Sequence, residues 1–323
     1  MLIDSLPLGL KATVTEMGGC ESPDHERVLS NIDNSRRDNL NYLHTYFPRS
    51  YNEIQDVLGE LNRTAPQFGA DLREKREIRI LSVGCGTGGD VMGLLYFIYL
   101  KLKNCSVDEE ALDVAITVDL VDGNSDAVSL AEQILVETTR GWFRSAITIK
   151  TAIRRFSAGS DLTDESGKCG RYDFIVASKF LQELSVYRPY FRFIGAFRNN
   201  LAETGLMVIL TTVDRQAPRG LGNGGYIPVC LNEETNLSCH EYDEEIATVY
   251  PLPCRAKPHC SKLFCYTRFI CNETNSSYAA RVLARKKYAD RLLPVVRAGR
   301  YMVNSTFGKD PYCHVPADVI LAA

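Results

Sequence analysis

A short glycine-rich stretch and one downstream aspartate are the residues whose types and spacing predict chemistry in this chain. The stretch consists of Gly84, Cys85, Gly86, Thr87 and Gly88. It follows the apolar run 78–83 and precedes a second one at 91–95, which predicts a strand, a turn and a helix. Glycines remove the Cβ atoms that would keep a ligand from the backbone, and a helix N-terminus offers unpaired N–H groups. We therefore expect a ligand to bind at this turn, although turns that bind nothing also use glycine.

The second feature is a carboxylate at the end of the next predicted strand. This strand covers 115–121, ends at Asp122 and is followed by an amphipathic helix. A carboxylate at the tip of the second strand of a βαβ unit can accept hydrogen bonds from ribose hydroxyls. We predict that role for Asp122, with Gly123 and Asn124 beside the ligand. The alternative is that Asp122 caps the following helix, which Ser125 could also do.

Together these features resemble the class I S-adenosylmethionine-dependent methyltransferases, whose first motif commonly reads Leu-Asp-x-Gly-x-Gly-x-Gly. Residues 81–88 are similar to that motif, and Asp122 matches the acid that ends the family's second strand. The resemblance implies S-adenosyl-L-methionine as the cofactor, held by the glycine turn, by the residues after the second strand, and by Ser178. Ser82 stands where the family usually carries an acid. That departure puts in doubt the contact made near the methionine end of the cofactor.

The elements that must position these residues predict an α/β fold. Strands and helices alternate over 78–213, which predicts a Rossmann-like doubly wound sheet. Residues 300–323 predict an antiparallel hairpin that closes this sheet. Nicotinamide enzymes use a related turn, Gly-x-Gly-x-x-Gly, whose spacing this chain also satisfies. Their sheets usually run parallel throughout, so the hairpin favours a methyl donor over a hydride carrier.

The sequence divides into four segments on this interpretation. Residues 1–75 form an N-terminal helical segment, 76–213 the cofactor-binding core, 214–299 a cysteine-rich basic insertion, and 300–323 the closing hairpin. The N-terminal segment predicts two helices separated by a break around Pro48. Such a pair either packs over the cofactor cleft as a lid or covers one edge of the sheet.

The bulk composition excludes some classes of protein. The chain has 323 residues, of which 45% are hydrophobic, and a net charge of −3, so its surface is not basic throughout. We find no signal-peptide pattern and no apolar run long enough to cross a bilayer. We therefore expect a cytoplasmic protein without a membrane partner. Nothing in the sequence predicts the oligomeric state.

The predicted insertion concentrates cysteines. Thiolates bind zinc or iron–sulfur clusters when three or four of them converge. The candidate ligands are Cys254, Cys260, Cys265 and Cys271. Their spacing is not that of a common zinc finger, and buried free cysteine is also an ordinary core residue. Metal binding and plain packing therefore both remain open.

The same segment is locally basic. Between residues 255 and 300 there are eleven Lys or Arg against two acids, interleaved with aromatic residues. Such a surface can bind a phosphate backbone and stack bases. The alternative is a basic, solvated helix over 279–293. Two fragments, 176–184 and 253–268, resemble the ribosomal small-subunit methyltransferase-like family, which implies ribosomal RNA as partner and a metal centre at the cysteines. That family's acidic-Pro-Gly segment after the fifth strand is absent here.

Methyl transfer from a sulfonium needs positioning more than acid–base chemistry, because the cofactor carries the reactive group. A general base is needed only if the acceptor must lose a proton, and the candidates are Lys179, Glu183 and Asp214. The leading hypothesis is a methyltransferase with RNA as the favoured acceptor. A small-molecule acceptor is the alternative, and a non-catalytic, cofactor-binding ribosome-assembly factor is the third.

Overall fold

A computed structural model describes twelve stretches of the chain and shows a mixed sheet flanked by helices. The described residues are 2–18, 33–103, 113–143, 145, 147–154, 171–184, 186–212, 227–250, 267–271, 274–293, 302–307 and 310–314. The strands of the main sheet are β1 Glu77–Val83, β2 Ala115–Asp122, β3 Thr148–Ile153, β4 Tyr172–Ser178, β5 Leu201–Thr212, β6 Ile246–Tyr250, β7 Thr267–Cys271 and β8 Thr274–Arg285. Their order is β3-β2-β1-β4-β5-β8-β6, and β7 also pairs with β8.

This order confirms the predicted Rossmann-like doubly wound sheet. Strands β1 to β5 run parallel, and β8 is antiparallel to both β5 and β6. The chain winds from β1 outward to β3 and then returns to place β4 on the other side of β1. Ligands of such sheets bind at that switch point, outside the carboxyl ends of the strands.

The antiparallel closure comes from a different part of the chain than expected. We predicted it at 300–323, but β6 and β8 lie inside the segment predicted as an insertion. The expected hairpin does form, as β9 Met302–Phe307 and β10 Asp310–His314, yet these two strands make a separate sheet. The basic helix considered over 279–293 forms only in its second half, Lys286–Leu292, because the residues before it belong to β8. Pairing on both edges and burial from Tyr278 to Ala284 outweigh the helical propensity of an Ala- and Arg-rich run.

The helices flank both faces of the sheet. They are α1 Leu8–Glu16, α2 Arg36–Thr64, α3 Pro66–Glu74, α4 Gly89–Lys103, α5 Ser125–Thr139, α6 Pro189–Phe197, α7 Ile227–Glu241 and α8 Lys286–Leu292. Helix α2 starts with a capping box, in which Ser35 Oγ accepts from the Asp38 N–H and the Asp38 carboxylate accepts from the Ser35 N–H. It continues through Pro48, so the predicted break there is wrong.

Alternate residues of the central strands point to opposite hydrophobic clusters. Ile80 and Phe174 pack in the cluster shared with α2 and α4, whereas Leu81 and Ile175 pack in the cluster shared with α6. The nearly continuous apolar runs of β1 and β4 therefore bury both faces, as strands inside a parallel sheet do. None of the helices in the described ranges combines the length and hydrophobicity needed to span a bilayer.

Candidate functional site

The glycine turn after β1 is built from left-handed backbone. Gly84, Gly86 and Gly88 have φ angles of +69°, +51° and +82°, a region that side chains with a Cβ rarely adopt. The turn is tied to the neighbouring strand because the N–H groups of Gly84 and Cys85 donate to the Val121 carbonyl at 2.7 and 3.2 Å. These bonds hold the turn beside the end of β2, where the predicted ribose-binding carboxylate lies.

The surroundings of each glycine differ. A Cβ on Gly84 would collide with the Phe180 ring, one on Gly88 would lie 2.9 Å from Ala131 Cβ, and one on Gly89 would lie 2.5 Å from the Phe47 carbonyl oxygen. A Cβ on Gly86 would have no atom of the described chain within 4 Å. Three of these glycines therefore permit close internal packing, and Gly86 is the position where the backbone faces open space.

Asp122 points at this open position. Its Oδ2 accepts a hydrogen bond from the Gly86 N–H at 2.8 Å, and its Oδ1 accepts from the Asn124 N–H at 2.9 Å. Burial raises the pKa of this carboxyl, while the N–H groups of Asn124, Gly86 and Gly123 oppose the rise. A carboxylate offers about four acceptor positions. The backbone thus orients the group and leaves acceptor capacity for the hydroxyls of a ligand.

Asn124, not Asp122 or Ser125, caps helix α5. Its Oδ1 accepts from the Ala127 N–H at 2.9 Å and also from the Asn39 amide at 3.1 Å, while its Nδ2 donates to the Asn34 carbonyl at 2.8 Å. The side chain therefore joins the start of α2 to the end of β2. Its predicted contact with a ligand remains a prediction.

The end of β4 carries two of the predicted residues. The Ser178 hydroxyl is buried and has no hydrogen-bond partner within the described residues. Lys179 has a left-handed backbone with φ +60°, and its ammonium lies 2.6 Å from Glu53 Oε2 in an ion pair with that fully buried carboxylate. Burial is the largest cause that lowers the pKa of Lys179, and Glu53 opposes it.

The other predicted site residues are less central. Glu183 is exposed and ends the short 3₁₀ turn Leu181–Glu183. Asp214, Cys254, Cys260 and Cys265 lie outside the described residues, and Cys271 is in β7. Among the residues that the structure describes, no cluster of His, Cys, Asp or Glu could hold a metal ion. The base and metal assignments therefore stay predictions.

Asp90 is a buried acid that the sequence interpretation missed. It lies in the first turn of α4, where its Oδ1 accepts from the Val91 N–H at 2.8 Å and its Oδ2 lies 3.5 Å from Ser82 Oγ. Burial raises the pKa of Asp90 to about 7, partly offset by backbone N–H groups and by Lys179. A carboxylate therefore contacts Ser82, the position where the resembling family usually carries one. The signal in the sequence that could have identified Asp90 is an acid directly after the glycines.

Helix α2 runs across the carboxyl ends of the parallel strands. Asn39 contacts Asn124 after β2, Glu53 contacts Lys179 after β4, and the Asp56 carboxylate accepts from the Tyr278 hydroxyl at 2.5 Å. Tyr278 pairs with Thr212, the last residue of β5. From Asn39 to Asp56 the helix rises about 25 Å, enough to pass obliquely over four strand spacings of about 4.8 Å.

These contacts bear on the two roles considered for the N-terminal helices: α2 lies over the carboxyl ends of the strands, as a cover of the cleft would, and it also packs on the core. Its apolar side lies on α4 at glycines, where a Cβ on Gly93 would lie 2.5 Å from the Tyr51 carbonyl oxygen. Its polar side faces the strand ends. That side consists of residues spaced three and four apart: Asn39, Tyr42, Tyr46, Arg49, Glu53 and Asp56. We call these six residues the polar stripe.

The described part of the basic segment is largely occupied by internal contacts. Arg281 is buried and donates to Asn232 at 2.5 Å, and Arg285 donates to the Leu201 carbonyl at 3.2 Å. Lys286 pairs with Asp290, and Arg291 pairs with Asp71. Each of these four cations therefore has a partner within the described part of the fold.

Comparisons with known proteins give structural similarity at low sequence identity. No protein-family model matches the sequence, and no curated protein matches it either. An arsenic(III) S-adenosylmethionine methyltransferase from Chlamydomonas reinhardtii is 12% identical over 64% of this chain, with a TM-score of 0.37, and this chain spans 62% of its length. DhpI in its complex with SAH is 13% identical over 81% of this chain and 98% of its own, with a TM-score of 0.39. A candidate class I S-adenosylmethionine-dependent methyltransferase from Listeria monocytogenes is 12% identical over 79% of this chain and 71% of its own, with a TM-score of 0.40.

Proposed function

We propose that this chain is a class I S-adenosylmethionine-dependent methyltransferase. The observation that carries the proposal is the pairing of Asp122 with Gly86 at the switch point of the sheet. The carboxylate accepts from the Gly86 N–H at 2.8 Å, and the backbone at Gly86 faces open space. A buried acceptor next to an accessible stretch of backbone suits an adenosine, whose ribose presents two hydroxyls to the carboxylate.

The residues present fit such a cofactor. Asp122 would accept from the ribose, and Gly86 lets the ligand approach the backbone without a steric clash. When bound, the sulfonium of the cofactor supplies the methyl group that is transferred. Helix α2 covers the strand ends and so keeps bulk water from the ligand, while Phe180 packs on Gly84 and shapes the wall beside β4.

The described residues contribute positioning more than proton transfer. Lys179 is engaged by Glu53 at 2.6 Å, and Glu183 is exposed. An in-line displacement at a sulfonium needs the donor and the acceptor held in register, which accounts for much of the rate that such enzymes achieve. Asp214 remains the candidate base if the acceptor must lose a proton.

Calorimetric titration with S-adenosylhomocysteine tests the proposed cofactor site. Asp122→Ala should weaken binding by about 1.5–3 kcal/mol, the usual loss for hydrogen bonds to a charged group. Asp113→Ala is a matched control, because Asp113 is exposed and precedes the opposite end of β2. Equal affinity of Asp122→Ala and the wild type would refute the ribose assignment, and no binding to the wild type would refute the proposed function.

We propose RNA as the favoured acceptor, on the basis of the basic, aromatic-rich segment 255–300. The alternative is a small molecule, which is favoured by the observation that α2 covers the strand ends. RNA affinity measured at several salt concentrations separates the two, because phosphate contacts make binding fall steeply with salt. A flat response would favour the small molecule.

Two further assignments belong to the same proposal. We propose that Cys254, Cys260, Cys265 and Cys271 hold zinc or an iron–sulfur cluster, and elemental analysis of anaerobically purified protein tests this. Absence of both metals would make the thiols packing residues. Transfer of labelled methyl groups to RNA would rule out a non-catalytic assembly factor that binds the cofactor without using it.

A further inference from the structure

The polar stripe of α2 contains a cation, Arg49, for which the described residues provide no ion-pair partner. The Arg49 guanidinium lies half-buried over the Tyr46 ring, 5.6 Å from its centroid. Its Nε is buried and has no hydrogen-bond partner, and Arg49 forms no ion pair among the residues that the structure describes. A buried donor of this kind costs free energy unless some group binds to it.

The charged groups that the structure describes near Arg49 do not supply it with an ion-pair partner. Arg49 is near enough to Lys179 to lower the pKa of that ammonium, after burial as the main cause. Glu53 is already paired with Lys179 at 2.6 Å. Asp90, which also interacts with Lys179, has a pKa of about 7 and so is only partly ionised at neutral pH. Among the described residues, Glu53 is the one acid in ion-pair contact with either of these two cations, and its partner is Lys179, so Arg49 has room for an anion.

The position of this site suggests which anion it takes. The stripe begins beside Asp122, because the Asn39 amide donates to Asn124 Oδ1 at 3.1 Å, and Tyr42 follows one turn later, two turns before Arg49. Burial raises the pKa of Tyr42, and the charges of Glu183 and Asp122 raise it further. Seven residues along a helix correspond to about 10 Å. An adenosine anchored at Asp122 would thus point its homocysteine chain along the stripe toward Arg49.

We propose that Arg49 binds the α-carboxylate at the amino-acid end of the cofactor, so that α2 supplies a ligand-binding residue to the site. This inference rests on the proposed function and deepens it. A guanidinium presents two parallel N–H donors that match a carboxylate, which a lysine at the same place would not do equally well. The buried Ser178 hydroxyl, also without a partner within the described residues, lies at the neighbouring end of β4.

Two ligands that differ in this carboxylate test the proposal. S-adenosylhomocysteine carries the amino-acid end, whereas 5′-methylthioadenosine keeps the adenosine and sulfur but lacks it. Both are titrated by calorimetry into the full chain, as wild type and as Arg49→Gln. We expect Arg49→Gln to lower the affinity for S-adenosylhomocysteine about 10- to 100-fold. The affinity for 5′-methylthioadenosine should change less than about 2-fold.

Two further variants serve as controls. Arg37→Gln makes the same change at an exposed position in the first turn of α2 and should alter neither affinity. Arg49→Lys keeps the charge and should restore part of the lost affinity for S-adenosylhomocysteine. The ratio of the two affinities within one variant does not depend on the fraction of folded protein, so a destabilised variant still gives an answer.

The outcomes separate this inference from the proposed function. Equal losses for both ligands, or no loss for either, would overturn the role of Arg49 while leaving the cofactor site in place. Failure of the wild type to bind either ligand would overturn the proposed function itself. A loss confined to S-adenosylhomocysteine supports the assignment.

Discussion

Substitution of Asp90 by asparagine should change how the stability of this protein depends on pH. The side chain is 3% exposed, and burial raises its pKa from 3.8 to about 7. Because the folded state holds this proton more tightly than the unfolded state, the stabilising contribution is complete below pH 3.8. It is lost as the pH rises through 7. A shift of about three pH units corresponds to on the order of 4 kcal/mol.

Asparagine suits this position without new strain. Its carbonyl oxygen can accept from the Val91 N–H as Asp90 Oδ1 does at 2.8 Å, and its amide can donate to Ser82 Oγ. The variant therefore keeps the local hydrogen bonds and removes the ionisation. We expect the wild type to lose stability relative to Asp90→Asn between pH 4 and 7, and the variant to be the more stable protein at pH 8.

Urea denaturation at several pH values between 4 and 8 provides the measurement. The quantity to compare is the difference in unfolding free energy between the wild type and Asp90→Asn at each pH. Burial also raises the pKa of Glu234 to about 7, so Glu234 makes the stability of both proteins fall with pH in the same way. Asp90→Ala is the control, since it removes the acceptor for the Val91 N–H and should be less stable than Asp90→Asn at every pH. Parallel stability curves for the wild type and Asp90→Asn would refute the reasoning.

Two other changes test the geometry of the site. Gly86→Ala should cost about 1–2 kcal/mol of stability because of its left-handed backbone, and it should abolish detectable S-adenosylhomocysteine binding. Gly84→Ala should destabilise the protein more than Gly86→Ala, because its Cβ would collide with the Phe180 ring. A Gly86→Ala protein that binds the ligand normally would contradict the assignment of Gly86 as the position where the ligand approaches the backbone. Glu53→Gln should lower stability by about 3–5 kcal/mol, because it leaves Lys179 buried without its charge partner. Thermal denaturation measures both losses, and an unchanged melting temperature for Glu53→Gln would show that the ion pair contributes nothing.

The glycine turn and Asp122 were predictable because local constraints specify them. A strand, three glycines with positive φ and a helix start follow one another within a few residues, and the acid closes the next strand. Which glycines permit close internal packing and which one faces open space was not predictable. It depends on Phe180 and Ala131, which reach the turn from distant parts of the chain.

Strand β8 shows where sequence patterns fail. Its alanines and arginines have high helix propensity, and a helix was the expected alternative to a nucleic-acid surface. Hydrogen bonding to β5 on one side and β6 on the other overrides that propensity. Arg281 fits between them because Asn232 Oδ1 of α7 accepts a hydrogen bond from its guanidinium. That partner lies 49 residues away, beyond the reach of a local pattern.

The polar stripe was visible in the sequence as residues three and four apart, but such a stripe usually marks a solvated helix face. Its contacts show why this one differs. The neighbouring stripe of the same helix packs on α4 with Phe47 and Ile54, which are fully or almost fully buried apolar residues. Glu53, the ionisable residue of the polar stripe that is buried to the same depth, costs free energy that an apolar side chain of similar volume would not. Helix α2 thus packs apolar side chains against α4 on one side and places charged side chains over the strand ends on the other. Since a buried charge is the costlier choice for stability alone, the buried Glu53 at the strand ends fits the ligand-facing surface proposed above.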